Sequence, residues 1–146
     1  MRTLTLFLVA LLCGCDNIPR DPEGTLERIR HDHVMHVGLA NGATPRGTRL
    51  GGNLIAALIE DTQAKPTFSH GSLEPLLLDL EAGKLDLIVG ARFADDTPWK
   101  TRVTLGPALS SEDGAVGRIN DHAVTRNGEN AWIMLVQRQA KALGAQ

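Results

Sequence analysis

GKLDLIVGARFADDTPWKTRVTLGP, residues Gly83 to Pro107, is the stretch whose reading decides the fold. Gly83 ends a helix, and Leu85, Leu87, Ile88 and Val89 then form a short apolar run of the kind found in strands buried on both faces. A loop rich in Gly, Asp, Thr and Pro follows, in which Asp95 and Asp96 read as turn residues capping backbone amides rather than as an acid–base pair. Val103 to Leu109 reads as a second short strand.

Working back from Gly83, the spacing of Leu73, Leu76, Leu77 and Leu80 predicts a helix with Ser72 as N-cap. Pro66 to His70 reads as a short strand centred on Phe68. Leu54, Ile55, Leu58 and Ile59 predict a helix over Gly52 to Gln63. Asn41 to Gly51, with three glycines, one proline and the arginines Arg46 and Arg49, reads as a solvated loop. Val34 to Leu39 reads as a half-buried strand and Thr25 to Arg30 as a short helix with Leu26 and Ile29 on one side. Strand and helix alternate through Gly90, which implies right-handed crossovers and a mostly parallel sheet flanked by helices, an α/β fold. Ligands of such sheets sit beyond the strand C-termini, here the loops after Leu39 and Val89.

Downstream, Ser110 to Gly117 reads as a turn and His122 to Val124 as a strand. Trp132, Leu135, Val136, Gln139, Ala140 and Leu143 give the inner face of a closing helix.

The N-terminus is a different kind of sequence. Arg2 precedes an apolar stretch, Leu4 to Leu12, too short to serve as a permanent membrane span. Leu12-Cys13-Gly14-Cys15 resembles a bacterial lipobox, so residues 1–14 are expected to be a signal peptide and Cys15 the lipidated residue. Asp16 resembles the signal that retains lipoproteins in the inner membrane. Residues 15–23, with two prolines, read as a lipidated tether, and residues 24–146 as the folded lobe. Both cysteines lie at the signal, so no disulfide is expected inside the lobe.

Several segments together resemble the first lobe of family 3 periplasmic solute-binding proteins, the amino-acid type that feeds ABC importers. GTLERIR…HVGLA, from Gly24, is similar to their opening. Gly83 to Val89 is similar to the helix end and strand that lead into a ligand-contacting loop. Val124-x-Arg126-x-Gly128-x-Asn130-Ala131-Trp132 is similar to the return that opens their last helix. The resemblance covers roughly Gly24 to Leu109 and Asp121 to Leu143, and implies a single lobe of a periplasmic-binding-protein type II fold. The second lobe that would normally lie between is missing.

In that family the loop after the third strand offers hydroxyls and backbone amides, and an arginine clamps the ligand α-carboxylate. Carried onto this sequence, the resemblance points to Asn41, Ala91, Arg92, Thr97 and Trp99 as ligand-binding candidates. Alignment anchored on Val103 to Leu109 puts Trp99 where the arginine usually falls, with Arg92 and Arg102 nearby but out of place. The bidentate clamp needs a guanidinium fork at a fixed position. Trp99 is then an apolar platform facing the cleft, or a rim residue packed on the strand.

Composition bounds the function. The chain has 146 residues, 42% apolar and 22% charged, which suits one domain with its own core. Its net charge of −2 and lack of a basic run argue against nucleic acid. His31, His33 and His36 with Asp32 straddle a helix end and a strand, which argues against a metal site. No nucleophile elbow, phosphate loop or other catalytic motif is present, so no enzyme activity and no cofactor are expected. The expected function is that of a membrane-anchored, solute-binding-like lipoprotein on the periplasmic face of the inner membrane, linked to transport or sensing. Its expected partners are a small solute, an inner-membrane protein such as a permease, and a second copy of the chain. The alternative is a protein-interaction module that uses the exposed face of the lobe.

Overall fold

In the computed structural model, which describes residues 21–115 and 117–144, helices and strands alternate as the sequence pattern demands. The order is α1 (Thr25–Asp32), β1 (Val34–Ala40), α2 (Pro45–Thr62), β2 (Lys65–Gly71), α3 (Leu73–Glu81) and β3 (Leu87–Ala94). A 3-10 turn (Pro98–Thr101) then leads to β4 (Val103–Gly114), β5 (Gly117–Arg126) and α4 (Asn130–Gly144). The signal segment and Cys15 lie outside the described residues.

The strands form one sheet in the order β2-β1-β3-β5-β4. β1 pairs in parallel with β2 and β3, while β5 runs antiparallel to β3 and to β4. Four strands therefore share one direction and β5 alone opposes them. This is a single α/β lobe with its sheet between helices.

Two expectations need correction. Asn41 to Gly51 is not a loop throughout, because α2 begins at Pro45 with Thr44 as its N-cap; the Thr44 hydroxyl accepts from the Gly47 N–H at 2.9 Å. Glycine at 47 and 51 lowers helix propensity but lets α2 press onto the sheet, and that packing outweighs the propensity. Ser110 to Gly117 is not a turn either. β4 and β5 continue as a ribbon until Gly114 pairs with Gly117, so the chain reverses between those two residues. Cross-strand pairing sustains this exposed polar ribbon, and no apolar period could have announced it.

The core lies on both faces of the sheet. On one face α1, α2 and α4 pack through Ile29, Leu54, Leu58 and Trp132 against Met35, Val37, Leu87 and Val89. On the other, α3 packs Leu76, Leu77 and Leu80 against Ile88, Ala91, Phe93 and Val124. Asp86 ties these parts together. Its carboxylate accepts from the His36 N–H at 2.8 Å and pairs with Arg28, while its carbonyl accepts the Trp132 indole N–H at 2.7 Å. A buried carboxylate is tolerated here because it is paired and hydrogen-bonded.

Asp21 and Glu23 are held against the lobe as well. Buried Glu129 accepts the N–H groups of Glu23 and Thr25 at 3.0 and 3.1 Å, and Asp21 accepts the Leu26 N–H at 3.0 Å. Burial, followed by the hydrogen bond to Glu129, pushes the Asp21 carboxyl up to about 6 from an ordinary 3.8. Burial raises Glu129 too, but the hydrogen bonds from Asp21, Thr25 and Glu23 outweigh it and hold this carboxyl below its ordinary value. A raised carboxyl favours the folded state at low pH, so the Asp21 contribution is complete below about pH 3.8 and is lost as pH rises through about 6. Glu129 has the opposite sign and loses its contribution only as pH falls through its depressed value. The first turn of α1 is therefore expected to loosen as pH rises from about 3.8 through about 6. Amide exchange corrected for intrinsic rate should speed up at Thr25 and Leu26, and Asp21→Asn should flatten that pH dependence. An unchanged protection profile across this range would show that the two carboxyls do not share a proton.

Candidate functional site

The loop Asn41 to Thr44 leaves the C-terminal end of β1 and feeds directly into α2. Beside it, a groove of about 500 Å³ runs between α2 and the ends of β1 and β2. Leu39, Ile55, Phe68 and Val89 make its walls, and Asn41, Thr48 and His70 supply the polar groups. Gly52 on α2 also borders it and leaves room, since a Cβ there would meet nothing within 4 Å. Phe68 stands 49% exposed because β2 is the edge strand of the sheet.

The N-terminus of α2 is closed by the protein itself. Asp121 of β5 has a side chain only 1% exposed, and its Oδ2 accepts from the Thr44 N–H (3.4 Å), the Thr44 hydroxyl (2.5 Å) and the Ser110 hydroxyl (2.7 Å). A carboxylate at this position is favoured by the free N–H groups and the dipole of the first helical turn. The position where a helix would hold an anion is thus filled from within. On the opposite face of the sheet, beside Phe93, the His122 ring nitrogen Nδ1 lies 2.8 Å from the Gly106 carbonyl, to which Nδ1–H donates, and burial pushes the imidazole down from its ordinary value.

The five residues expected to bind ligand are divided between the two faces of the sheet. Asn41 lies on the rim of the groove, with its N–H donated to the Gly71 carbonyl at 2.9 Å. Arg92 lies on the same side, bonded to the Gly42 carbonyl and to Glu112. Ala91 is fully buried under α3, so its methyl is part of the core. Thr97 caps the 3-10 turn by accepting from the Trp99 N–H at 3.4 Å. Trp99 packs partly buried on the α3 side, with the Arg102 guanidinium 4.4 Å from its ring centre. Arg102 is held in turn by Glu81.

Sequence reasoning did not single out Thr44, Ser110 or Asp121 as site residues, and read Ile55 only as part of a helical stripe. Asp121 stands between two other polar residues, Asn120 and His122, so no alternation in the sequence marked it out. A second cavity of about 260 Å³ sits at the opposite end of the sheet, but both its arginines are already engaged: Arg28 with Asp86, and Arg126 3.6 Å from Glu129. Among the described residues no three His, Cys, Asp or Glu side chains are grouped to hold a metal ion, and no helix is long and apolar enough to cross a membrane.

No family model matches the sequence, and no curated protein matches it. Solved structures do match its backbone. The arginine-bound form of domain 1 from TmArgBP, the arginine-binding protein of T. maritima, superimposes with a TM-score of 0.62 at 13% identity, over 80% of this chain and 98% of that one. The fold is that of a single solute-binding lobe. An ancestral cationic amino acid solute-binding protein matches this lobe with a TM-score of 0.65 at 10% identity, covering 83% of this chain and 94% of that one. An ancestral amino acid-binding protein described as a precursor of cyclohexadienyl dehydratase matches with a TM-score of 0.66 at 12% identity, over 84% and 94% of the two chains. In this lobe β4 and β5 pair as far as Gly114 and Gly117.

Proposed function

We propose that this chain is a one-lobe receptor for a small solute, tethered to the periplasmic face of the inner membrane by a lipid on Cys15 and working with an inner-membrane permease or sensor. The observation that carries the reading is the groove beside α2. Its volume of about 500 Å³ and its carbon-rich walls with a few polar groups suit a small-molecule site. With Trp99 packed away on the other face, the groove favours a solute with an apolar body and one hydrogen-bonding end, met by Asn41, Thr48 or His70. The amino acid ligands of the structural neighbours support a solute of that size.

The test is a thermal-shift screen of the full chain in detergent micelles against small solutes. A ligand at about 100 times its Kd should stabilise the lobe by ~2.7 kcal/mol. Gly52→Leu should abolish that shift while leaving the unliganded melting point unchanged or raised, because it fills the groove from a position with open space. A ligand that stabilises Gly52→Leu equally well would bind somewhere else. The anchor has its own test: Cys15→Ser should move the protein from the membrane pellet to soluble or unprocessed fractions. Normal processing with undiminished pelleting would remove the lipid from the proposal.

One observation favours a second reading. Among the described residues β2 pairs on one side only and carries half-exposed Phe68, and such an edge can accept a strand from a partner. A solute screen without a single hit, together with concentration-dependent self-association or a retained periplasmic partner, would favour an interaction module instead.

A further inference from the structure

Arg92 reaches its place through a backbone irregularity. Leu87 and Val89 of β3 belong to the α2 side of the sheet and Ile88 to the α3 side. Strict alternation would put Ala91 on the α2 side and Arg92 on the α3 side. The register against β5 shifts between Ile88 and Ala91, with Gly90 at φ 76, and the alternation reverses there. Ala91 and Phe93 therefore enter the α3 core, and Arg92 turns towards α2, opposite its ladder partner Asp121.

Three acceptors from three separate segments meet it there. Nη2 donates to Glu112 Oε2 at 2.7 Å and Nη1 to the Gly42 carbonyl at 3.3 Å, while Nε lies 3.8 Å from Asp121 Oδ1. That last oxygen is informative. It is buried and, among the described residues, has no hydrogen-bond partner, although its twin Oδ2 takes three donors. A buried carboxylate oxygen, a surface carboxylate and a loop carbonyl together make an acceptor set that suits a planar cation with several donors.

We propose that the edge of the groove carries a guanidinium-binding subsite, and that the chain's own Arg92 occupies it as a tethered ligand. The proposal rests on the solute-receptor reading, because the subsite borders the groove through Gly42, next to Asn41. A tethered group competes at a high effective concentration, so a free guanidinium solute is excluded while Arg92 is present. The lobe therefore selects against cationic solutes at this edge, unlike what arginine-bound structural neighbours would suggest, and Arg92 pins the Asn41–Thr44 loop to the end of β4.

The experiment compares the full chain with Arg92→Ala in a titration with methylguanidinium chloride at millimolar concentrations, against sodium chloride at equal ionic strength, following the melting temperature. Arg92→Ala should gain a saturable rise specific to methylguanidinium, with half-saturation at least about tenfold below any response of the unmodified chain. Adding Asp121→Asn should abolish the rise, and adding Gly52→Leu should leave it intact. The last variant separates this subsite from the groove, whose own failure would appear only in the solute screen. If Arg92→Ala does not fold, Arg92→Met, which keeps an apolar stem and removes the tethered cation, is read by the same criteria. An equal response from the unmodified chain, no response from a folded variant, or a response that survives Asp121→Asn would overturn the proposal.

Discussion

Trp132→Ala is expected to cost roughly 3–5 kcal/mol from the lost side chain alone, a large part of the stability of a domain this size. The indole is fully buried among α1, α2, α4 and the sheet. The substitution also strips the Asp86 carbonyl of its indole donor, and an orphaned buried acceptor costs about 1–3 kcal/mol more. Asp86 is the residue through which α1, β1 and α4 meet, so the effect should spread as a loss of cooperativity. Trp132→Phe keeps most of the bulk and loses the hydrogen bond, and should be markedly milder. Urea unfolding followed by far-UV circular dichroism measures both. A loss below about 1 kcal/mol for the alanine variant would mean that α4 does not seat this ring in the core.

Gly47→Ala should be the next most damaging, at about 2–3 kcal/mol or more, although alanine is the better helix former. A Cβ at residue 47 would lie 2.3 Å from Asp121 Oδ2, 2.6 Å from its Cγ and 2.9 Å from its Cβ. Because the clash reaches the root of the Asp121 side chain, rotation cannot relieve it. Either α2 lifts from the sheet, or the carboxylate leaves Thr44 and Ser110. One turn along, a Cβ at Gly51 would lie 2.1 Å from Val89 Cγ1, so this face of α2 consists of contacts that only glycine permits. Gly52→Ala is the control, with opposite sign. It faces open space and should stabilise by ~0.5–1 kcal/mol through helix propensity. Equal effects of the two substitutions in a thermal melt would show that α2 does not lie this close to the sheet.

The contrast between neighbouring glycines explains how far the sequence could be read. Gly47, Gly51 and Gly52 are identical as letters; read with Pro45, Arg46 and Arg49 the first two suggested loop, and the third only the start of a helix. What distinguishes them is the distance to a strand about 40 to 70 residues away in the chain, which no local pattern encodes. α3 was legible because Leu76, Leu77 and Leu80 repeat at helical spacing beside a stop glycine, and α4 for the same reason through Trp132, Leu135 and Val136. The β4–β5 ribbon was not, since the polar residues Ser110 to Asp113 have no period and are held by partners on the opposite strand.

The amino-acid sequence by itself determined the α/β class, the order of the buried elements, the apolar faces of α3 and α4, and the resemblance to one solute-binding lobe. These follow from local periodicity and capping, which act within a few residues. The tertiary structure alone decided that β5 opposes its neighbours and that Asp121 fills the start of α2. It also decided that the five expected ligand residues divide between two faces. A register shift at Gly90 sends Arg92 to one side of the sheet and Ala91 to the other. Facing in a strand has a period of two, so one irregular residue reverses every side chain after it, and only the pairing with β5 shows where that happens.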